Sequence, residues 1–359
     1  MNATPDYIVT TGDYIAEWME GEGITQAELA RRLGTSRKHV SELLSGKAPL
    51  SHTLSLAMER VTGVAARIWN LYESGYRSDL ARRTEDKALV AQYETAKAYP
   101  LTYLRKWGFI KASARDHADT VRGLLSILGV ATLDALDDTW AHGAVAYRRS
   151  TVGRDDAPAL RTWLALAERQ HEVLRDLPAF DRARLESLIP RLRSLTLADP
   201  AEGVDEAINL LASVGIRLCF IPAVTGLRIY GATRWVNNHP IIQLSLFGKS
   251  DDQLWITLFH ELGHVMLHGE KDLYLHVGTT KAEREANNFA HQTLLNPVAP
   301  SQLPATRDVT KIKSLAQQAG IAPSIVLNLT QRQTRDYKWG HELRHKFEFI
   351  TQPELQLAT

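Results

Sequence analysis

Leu254-Trp255-Ile256-Thr257-Leu258-Phe259-His260-Glu261-Leu262-Gly263-His264-Val265-Met266-Leu267 decides how the carboxyl-terminal half of this chain folds. The run is apolar on most sides of a helix, which predicts a deeply packed helix rather than one laid on a surface. Set into it are His260, Glu261 and His264. Histidines four residues apart lie one turn apart on one face and can chelate a single ion, and Glu261 projects toward the same side. A carboxylate so placed can take a proton from water and hand it to a leaving amine, which peptide hydrolysis requires. Chance would produce such a five-residue pattern in roughly a few per cent of chains this rich in His and Glu. A buried apolar helix, however, has no cheap use for two imidazoles and a carboxylate unless something pairs with them.

Ser250-Asp251-Asp252-Gln253 reads as a capping box that opens this helix, expected to run to about His268. Upstream the apolar period becomes strand-like over Gly215 to Ile221, Leu227 to Val236 and Ile241 to Phe247, with Asn237-Asn238-His239-Pro240 as turn chemistry. A small antiparallel sheet is expected. Downstream a third metal ligand is needed, because a catalytic zinc has three protein ligands and one open position. Glu270, Glu283 and Glu285 are the candidates. On a helix starting near Thr280, Glu283 falls on the inward face with Ala282, Ala286, Phe289, Ala290 and Leu294, whereas Glu285 falls outside with Asn288 and Gln292. Glu283 is therefore the expected ligand, although Thr280-Lys281-Ala282-Glu283 also fits a capping box. Asn287, one turn beyond Glu283, and His268, one turn beyond His264, are expected to support the ligating histidines. The metzincin pattern fails at Leu267 and Glu270. Tyr230, Arg234 and His239 lie where an oxyanion-stabilising group could come from, and each has a structural reading as well.

These residues resemble the ImmA/IrrE family of metallopeptidases. The His260 to His264 helix is followed by Glu283-Arg284-Glu285-Ala286-Asn287-Asn288-Phe289-Ala290 and by Leu294-Leu295-Asn296-Pro297. Asn296 stands where the family commonly has Met. The resemblance implies His260, His264 and Glu283 as zinc ligands and Glu261 as the general base. Residues 1–75 resemble the HigA branch of the Xre helix-turn-helix regulators, through Ile24-Thr25-Gln26-Ala27-Glu28-Leu29-Ala30 and Leu54 to Asn70. Together the two resemblances imply repressor, stress-response, phage or toxin–antitoxin circuits in which such a peptidase cuts a regulator.

The amino-terminal residues support that second resemblance independently. Thr25-Gln26-Ala27-Glu28 is a capping box for a helix over Gln26 to Leu33 that stops at Gly34, and a second helix is expected from Ser36 to Leu44. In a helix-turn-helix the second helix enters the major groove, which makes Ser36, Arg37, Lys38, His39 and Ser41 the expected DNA contacts. Thr25 to Ala48 holds five Lys or Arg against two acids, whereas Met1 to Gly23 holds five acids and no base, so positive charge is concentrated where phosphates would need it. The bland reading is a solvated surface on a domain used for protein contacts. One such domain binds weakly, so a homodimer on a two-fold operator is expected.

Composition bounds the rest. A hydrophobic share of 44% and a charged share of 23% over 359 residues describe globular domains rather than disorder, and a net charge of +1 decides nothing about nucleic acid. Cys219 is the only cysteine, which excludes disulfides within the chain and leaves His and carboxylate for any metal. Met1 to Asp6 lacks the pattern of a signal peptide and no apolar run is long enough to span a bilayer, so a cytoplasmic protein without membrane contact is expected.

The expected fold is mainly α with a small antiparallel β-sheet: an all-α helix-turn-helix domain over 1–75, a helical middle region over 76–200 and an α+β zincin-like domain over 201–359. The expected function is a Zn2+-dependent endopeptidase of the His-Glu-x-x-His type, joined to an operator-binding domain and cleaving a regulatory protein. The alternative is a non-proteolytic repressor or antitoxin that binds operator DNA and a partner toxin and keeps zinc for structure. Retention of Glu261 and a three-ligand rather than four-ligand site argue against it.

Overall fold

A computed structural model describes residues 9–136, 157–173, 177–268, 273–275, 280–349 and 357–358. The chain divides into two compact units, Met1–Ala91 and Gln92–Thr359. No described helix is long and apolar enough to cross a membrane.

The first unit is built from α1 (Thr11–Gly21), α2 (Gln26–Leu33), α3 (Arg37–Leu44), α4 (His52–Thr62) and α5 (Ala66–Ala91). Thr25 caps α2 by accepting from the Glu28 amide, and Ser36 caps α3 by accepting from the His39 amide. Each hydroxyl satisfies one free amide of a helix start. The Glu28 carboxylate does not complete the expected box, because it accepts from Arg31 and Arg32 instead. The helices meet over Ile15, Leu29, Val40, Leu43, Met58 and Trp69, all buried.

In the second unit, α6 (Tyr93–Ala96), α7 (Leu101–Lys106) and α8 (His117–Leu128) precede α9 (Ala157–Val173), α10 (Arg182–Ser194) and α11 (Pro200–Ala212). The apolar spacings at Val121, Leu124, Leu125 and Leu128 and at Leu160, Trp163, Leu164 and Ala167 become the buried faces of α8 and α9. A sheet follows, made of β1 (Arg217–Phe220), β2 (Gly231–Val236), β3 (His239–Leu244) and β4 (Tyr274–Leu275) in the order β1-β3-β2-β4. The metal-site helix α12 (Asp251–Leu267), α13 (Lys281–Leu295), α14 (Val309–Ala319) and α15 (Pro323–Thr334) complete the unit.

The sheet corrects the antiparallel expectation. β2 and β3 form an antiparallel hairpin, but β1 pairs parallel to β3. The reason lies in what covers the strands. β1 and nearly all of β3 are buried, as strands with helices on both faces must be. On one face Gln243 and Arg234 donate to the carbonyls of Trp163 and Leu164 in α9. On the other, Ile242 and Leu244 join the core formed with α12. The hairpin turn is also tighter than the sequence suggests. Asn237 and Asn238 alone make it, with φ of 50° and 65°, and His239 and Pro240 already belong to β3. Two successive positive φ angles match the right-handed twist of the flanking strands, and Asn tolerates them best among non-glycine residues.

Candidate metal centre

The apolar run from Leu254 to Leu267 becomes part of α12, in which Leu254 to Met266 are all buried. Burial of each large side chain stabilises the unit by roughly 1.5–3 kcal/mol, so the register of this helix is fixed by packing. That register sends His260 and His264 toward α13. The two helices cross at Gly263, where an added Cβ would lie 3.0 Å from the Cα of Ala286. Glycine in α12 facing alanine in α13 suits this close approach, which carries Glu283 to the histidines.

The ligating atoms of His260, His264 and Glu283 lie within 4.8 Å of one another. Glu283 Oε2 is 3.1 Å from His260 Nε2, and its Oε1 is 3.1 Å from His264 Nε2. Both imidazoles are fully buried. Glu283 Oε2 is buried without a hydrogen-bond partner among the described residues, an arrangement that costs energy unless a cation takes the lone pair. Two imidazole nitrogens and one carboxylate converging in this way fit a metal ion. The Thr280 hydroxyl accepts from the Glu283 amide, so the amide half of the capping box forms while the carboxylate turns inward.

The other ring nitrogens are held from behind. His260 Nδ1 donates to Asn287 Oδ1 at 3.1 Å, which leaves the Nε2 lone pair for an ion. His264 Nδ1 and His268 Nδ1 are 3.0 Å apart, and His268 Nε2 is 3.2 Å from Glu285 Oε2. One set of tautomers satisfies this row: His268 Nε2 donates to Glu285, His268 Nδ1 accepts from His264 Nδ1, and His264 Nε2 is free to ligate. Glu285, placed on the outer face by helical spacing, thus anchors the row. Tyr274 in β4 stacks on the His264 ring with centroids 4.5 Å apart. Glu270 lies outside the described residues.

Glu261 is fully buried, and its Oε2 accepts from Thr233 Oγ1 at 2.7 Å. The same hydroxyl sits 3.2 Å from the Glu261 carbonyl oxygen, tying the side chain to its own helix turn. Gly231 makes room for the carboxylate, because a Cβ there would stand 2.5 Å from Glu261 Oε1. Burial pushes the Glu261 carboxyl up to about 8, with His260 and Thr233 opposing and the Glu283 charge adding. Burial would also raise Glu283, but the close approach of the His260 and His264 imidazoles prevails and holds it at about 2. The two carboxylates of this pocket are thereby set apart, Glu261 the more basic and Glu283 the more acidic.

Sequence reasoning missed Thr233, Gly231 and Tyr274, and placed Glu285 on the outer face without its contact to His268. No local signal marks them, since the first three come from the sheet and meet α12 only through the tertiary fold. Of the three candidate oxyanion residues, Arg234 and His239 are bonded elsewhere, and Tyr230 packs through its ring. Arg234 donates to Leu164 O, His239 Nδ1 donates to Gly215 O at 3.1 Å, and Tyr230 packs edge-on against Phe247.

In the first unit, Ser36, Arg37, Lys38 and Ser41 are exposed and His39 is half-buried. The Ser36 hydroxyl is occupied as the cap of α3, and the Lys38 ammonium lies 3.8 Å from Glu42. Arg37 and Ser41 share a face one turn apart.

Residues 15–69 match the helix-turn-helix family model, and residues 212–328 match the IrrE N-terminal-like domain of a peptidase family. No curated protein matches the chain. The second match spans β1 through the first half of α15 and contains His260, Glu261, His264 and Glu283. The two matches agree with the expected architecture, a helix-turn-helix domain followed by an ImmA/IrrE-like domain.

Proposed function

We propose that this protein is a cytoplasmic zinc-dependent endopeptidase fused to a DNA-binding regulator domain, and that it cleaves a repressor- or antitoxin-type protein in a stress, phage or toxin–antitoxin circuit. The observation that carries the proposal is Glu261, buried against a three-ligand site and held by Thr233. A metal kept for structure alone gains nothing from such a carboxylate. His260, His264 and Glu283 would hold zinc, which supplies Lewis acidity toward a carbonyl and lowers the pKa of water. Asn287 and His268 would orient the histidines by their Nδ1 contacts. Glu261 would accept a proton from water at its carboxylate and return it to the leaving amine, with Thr233 fixing the carboxylate between the two transfers. β2 and β3 are interior, so an extended peptide added to this sheet beside the metal ligands would meet β4, where Tyr274 stacks on His264.

The test follows the products of neighbouring genes by mass spectrometry, co-expressed with the wild type or with Glu261→Gln. A neighbour cut by the wild type alone is the expected result. The variant should lose cleavage by roughly a thousandfold or more while binding zinc normally. Intact neighbours in both arms, at rest and under stress, with zinc bound and operator DNA shifted, would favour the non-proteolytic repressor.

Arg37 and Lys38 test the other half of the proposal. Arg37→Ala with Lys38→Ala should weaken binding to DNA from the chain's own locus by about tenfold and flatten its salt dependence. Zinc content should not change. Unaltered affinity in a mobility-shift titration would remove α3 from the DNA interface.

A further inference from the structure

The second unit carries a cleft of about 990 Å³ in which none of the metal-site residues takes part. One wall is the segment from Tyr93 to Trp107, and the other is formed by Pro222 to Thr225 after β1 and Ser245 to Lys249 after β3. β1 and β3 are the parallel pair, so two strands running the same way deliver their carboxyl ends into one crevice. In sheets covered by helices, such crevices are where ligands bind. The volume is at the upper end of the range for small-molecule sites, about 300–1,000 Å³. The walls are tied together, since the buried Tyr103 hydroxyl donates to Pro222 O at 2.6 Å.

The lining has one sign of charge. Lys97, Arg105, Lys106 and Lys249 contribute to it, and among the described lining residues there is no Asp or Glu. Lys97 is paired with Glu94, and Arg105 is fixed by donating to Ala112 O and Thr120 Oγ1. Lys106 and Lys249 have no carboxylate partner among the described residues. Aromatic rings stand beside these cations. The Lys106 ammonium lies 5.5 Å from the Trp107 ring, and Phe247 is 42% exposed at the cleft. An exposed phenylalanine in a cationic wall can receive a planar ring by stacking while the cations receive an anionic group attached to it. The backbone of that wall is itself strained, with Leu246 and Lys249 at φ of 50° and 49°. Such conformations cost about 1–3 kcal/mol at each non-glycine residue and cluster at ligand clamps.

We propose that this cleft binds a small anionic ligand with an aromatic ring, of the nucleoside monophosphate class, its ring against Trp107 and Phe247 and its phosphate neutralised by Lys106 and Lys249. The proposal is independent of the peptidase reading. It is tested by calorimetric titration of the full chain with AMP, GMP, CMP and UMP, and with adenosine and inorganic phosphate as half-ligands. At least one monophosphate should bind about tenfold more tightly than either half, because ring and charge must both be matched. Lys106→Glu with Lys249→Glu should weaken that binding by about tenfold or more through charge reversal, and Trp107→Leu should weaken it by a similar factor through loss of stacking. Unchanged zinc content and melting temperature would show that these variants fold. Failure of all four monophosphates to bind at millimolar concentration would overturn the proposal, as would equal affinity in the charge-reversed protein. A short oligothymidylate is titrated in the Arg37→Ala, Lys38→Ala background, so that the first unit contributes little. Tighter binding of that strand than of any mononucleotide would overturn the small-ligand reading in favour of a nucleic-acid surface.

Discussion

His264→Ala is expected to lose its metal while keeping its fold. Its ring is fully buried, its Nε2 lies 3.1 Å from both His260 Nε2 and Glu283 Oε1, and its Nδ1 is engaged by His268, so Nε2 is the atom it offers an ion. Structural zinc sites bind with roughly 10 kcal/mol or more, and loss of one ligand in three should weaken binding by about a hundredfold to a thousandfold. Metal analysis after dialysis should therefore find about one zinc per chain in the wild type and close to none in the variant. His268→Ala separates ligation from support. It removes only the acceptor behind His264, so affinity should fall by about tenfold to a hundredfold with metal still detectable. Equal zinc content in wild type and His264→Ala would remove His264 from the ligand set. A variant that unfolds, seen by circular dichroism, would be replaced by His264→Gln, which keeps volume without an imidazole.

The parts of this site that could be read from sequence are those that a helical period connects. His260 to His264, His264 to His268 and Glu283 to Asn287 are all i,i+4 relations, and the apolar pattern around them fixes which face turns inward. The same period separates Glu283 from Glu285 and marks the buried faces of α8 and α9. What could not be read depends on contacts between distant segments. Thr233 and Gly231 belong to β2, twenty-eight and thirty residues before Glu261, and nothing in β2 announces that α12 will pass over it. Strand order fails for the same reason: β2 and β3 are joined by a two-residue turn and must pair antiparallel, but the partner of β1 is chosen by the helices covering both faces. Ser250 shows the limit of local rules. Its capping box does not form, because the hydroxyl donates to Asp252 Oδ1 and the helix start is held by a tertiary network instead.

That network makes Asp252→Ala a large expected loss of stability. Asp252 is fully buried, and its Oδ2 accepts from Asn328 Nδ2 at 2.6 Å and from Arg344 Nε at 2.9 Å. Arg344 also donates through Nη2 to Gln331 Oε1, while the neighbouring Asp251 accepts from Ser324 Oγ and the His345 amide. The first turn of α12 is thus bolted to α15 and to the segment after it. Removal of the Asp252 carboxylate would leave the buried end of Arg344 without its charge partner and Asn328 without its acceptor, a loss of about 3–5 kcal/mol. Urea unfolding of zinc-loaded full chain should show the transition of the second unit at lower denaturant, with the first unit little affected. Asp252→Asn should fall between the two, since it retains an acceptor for Arg344 but no charge. A loss below about 1 kcal/mol would mean that water replaces the carboxylate at Arg344, and that apolar packing of α12 against α13 alone sets the position of His260 and His264.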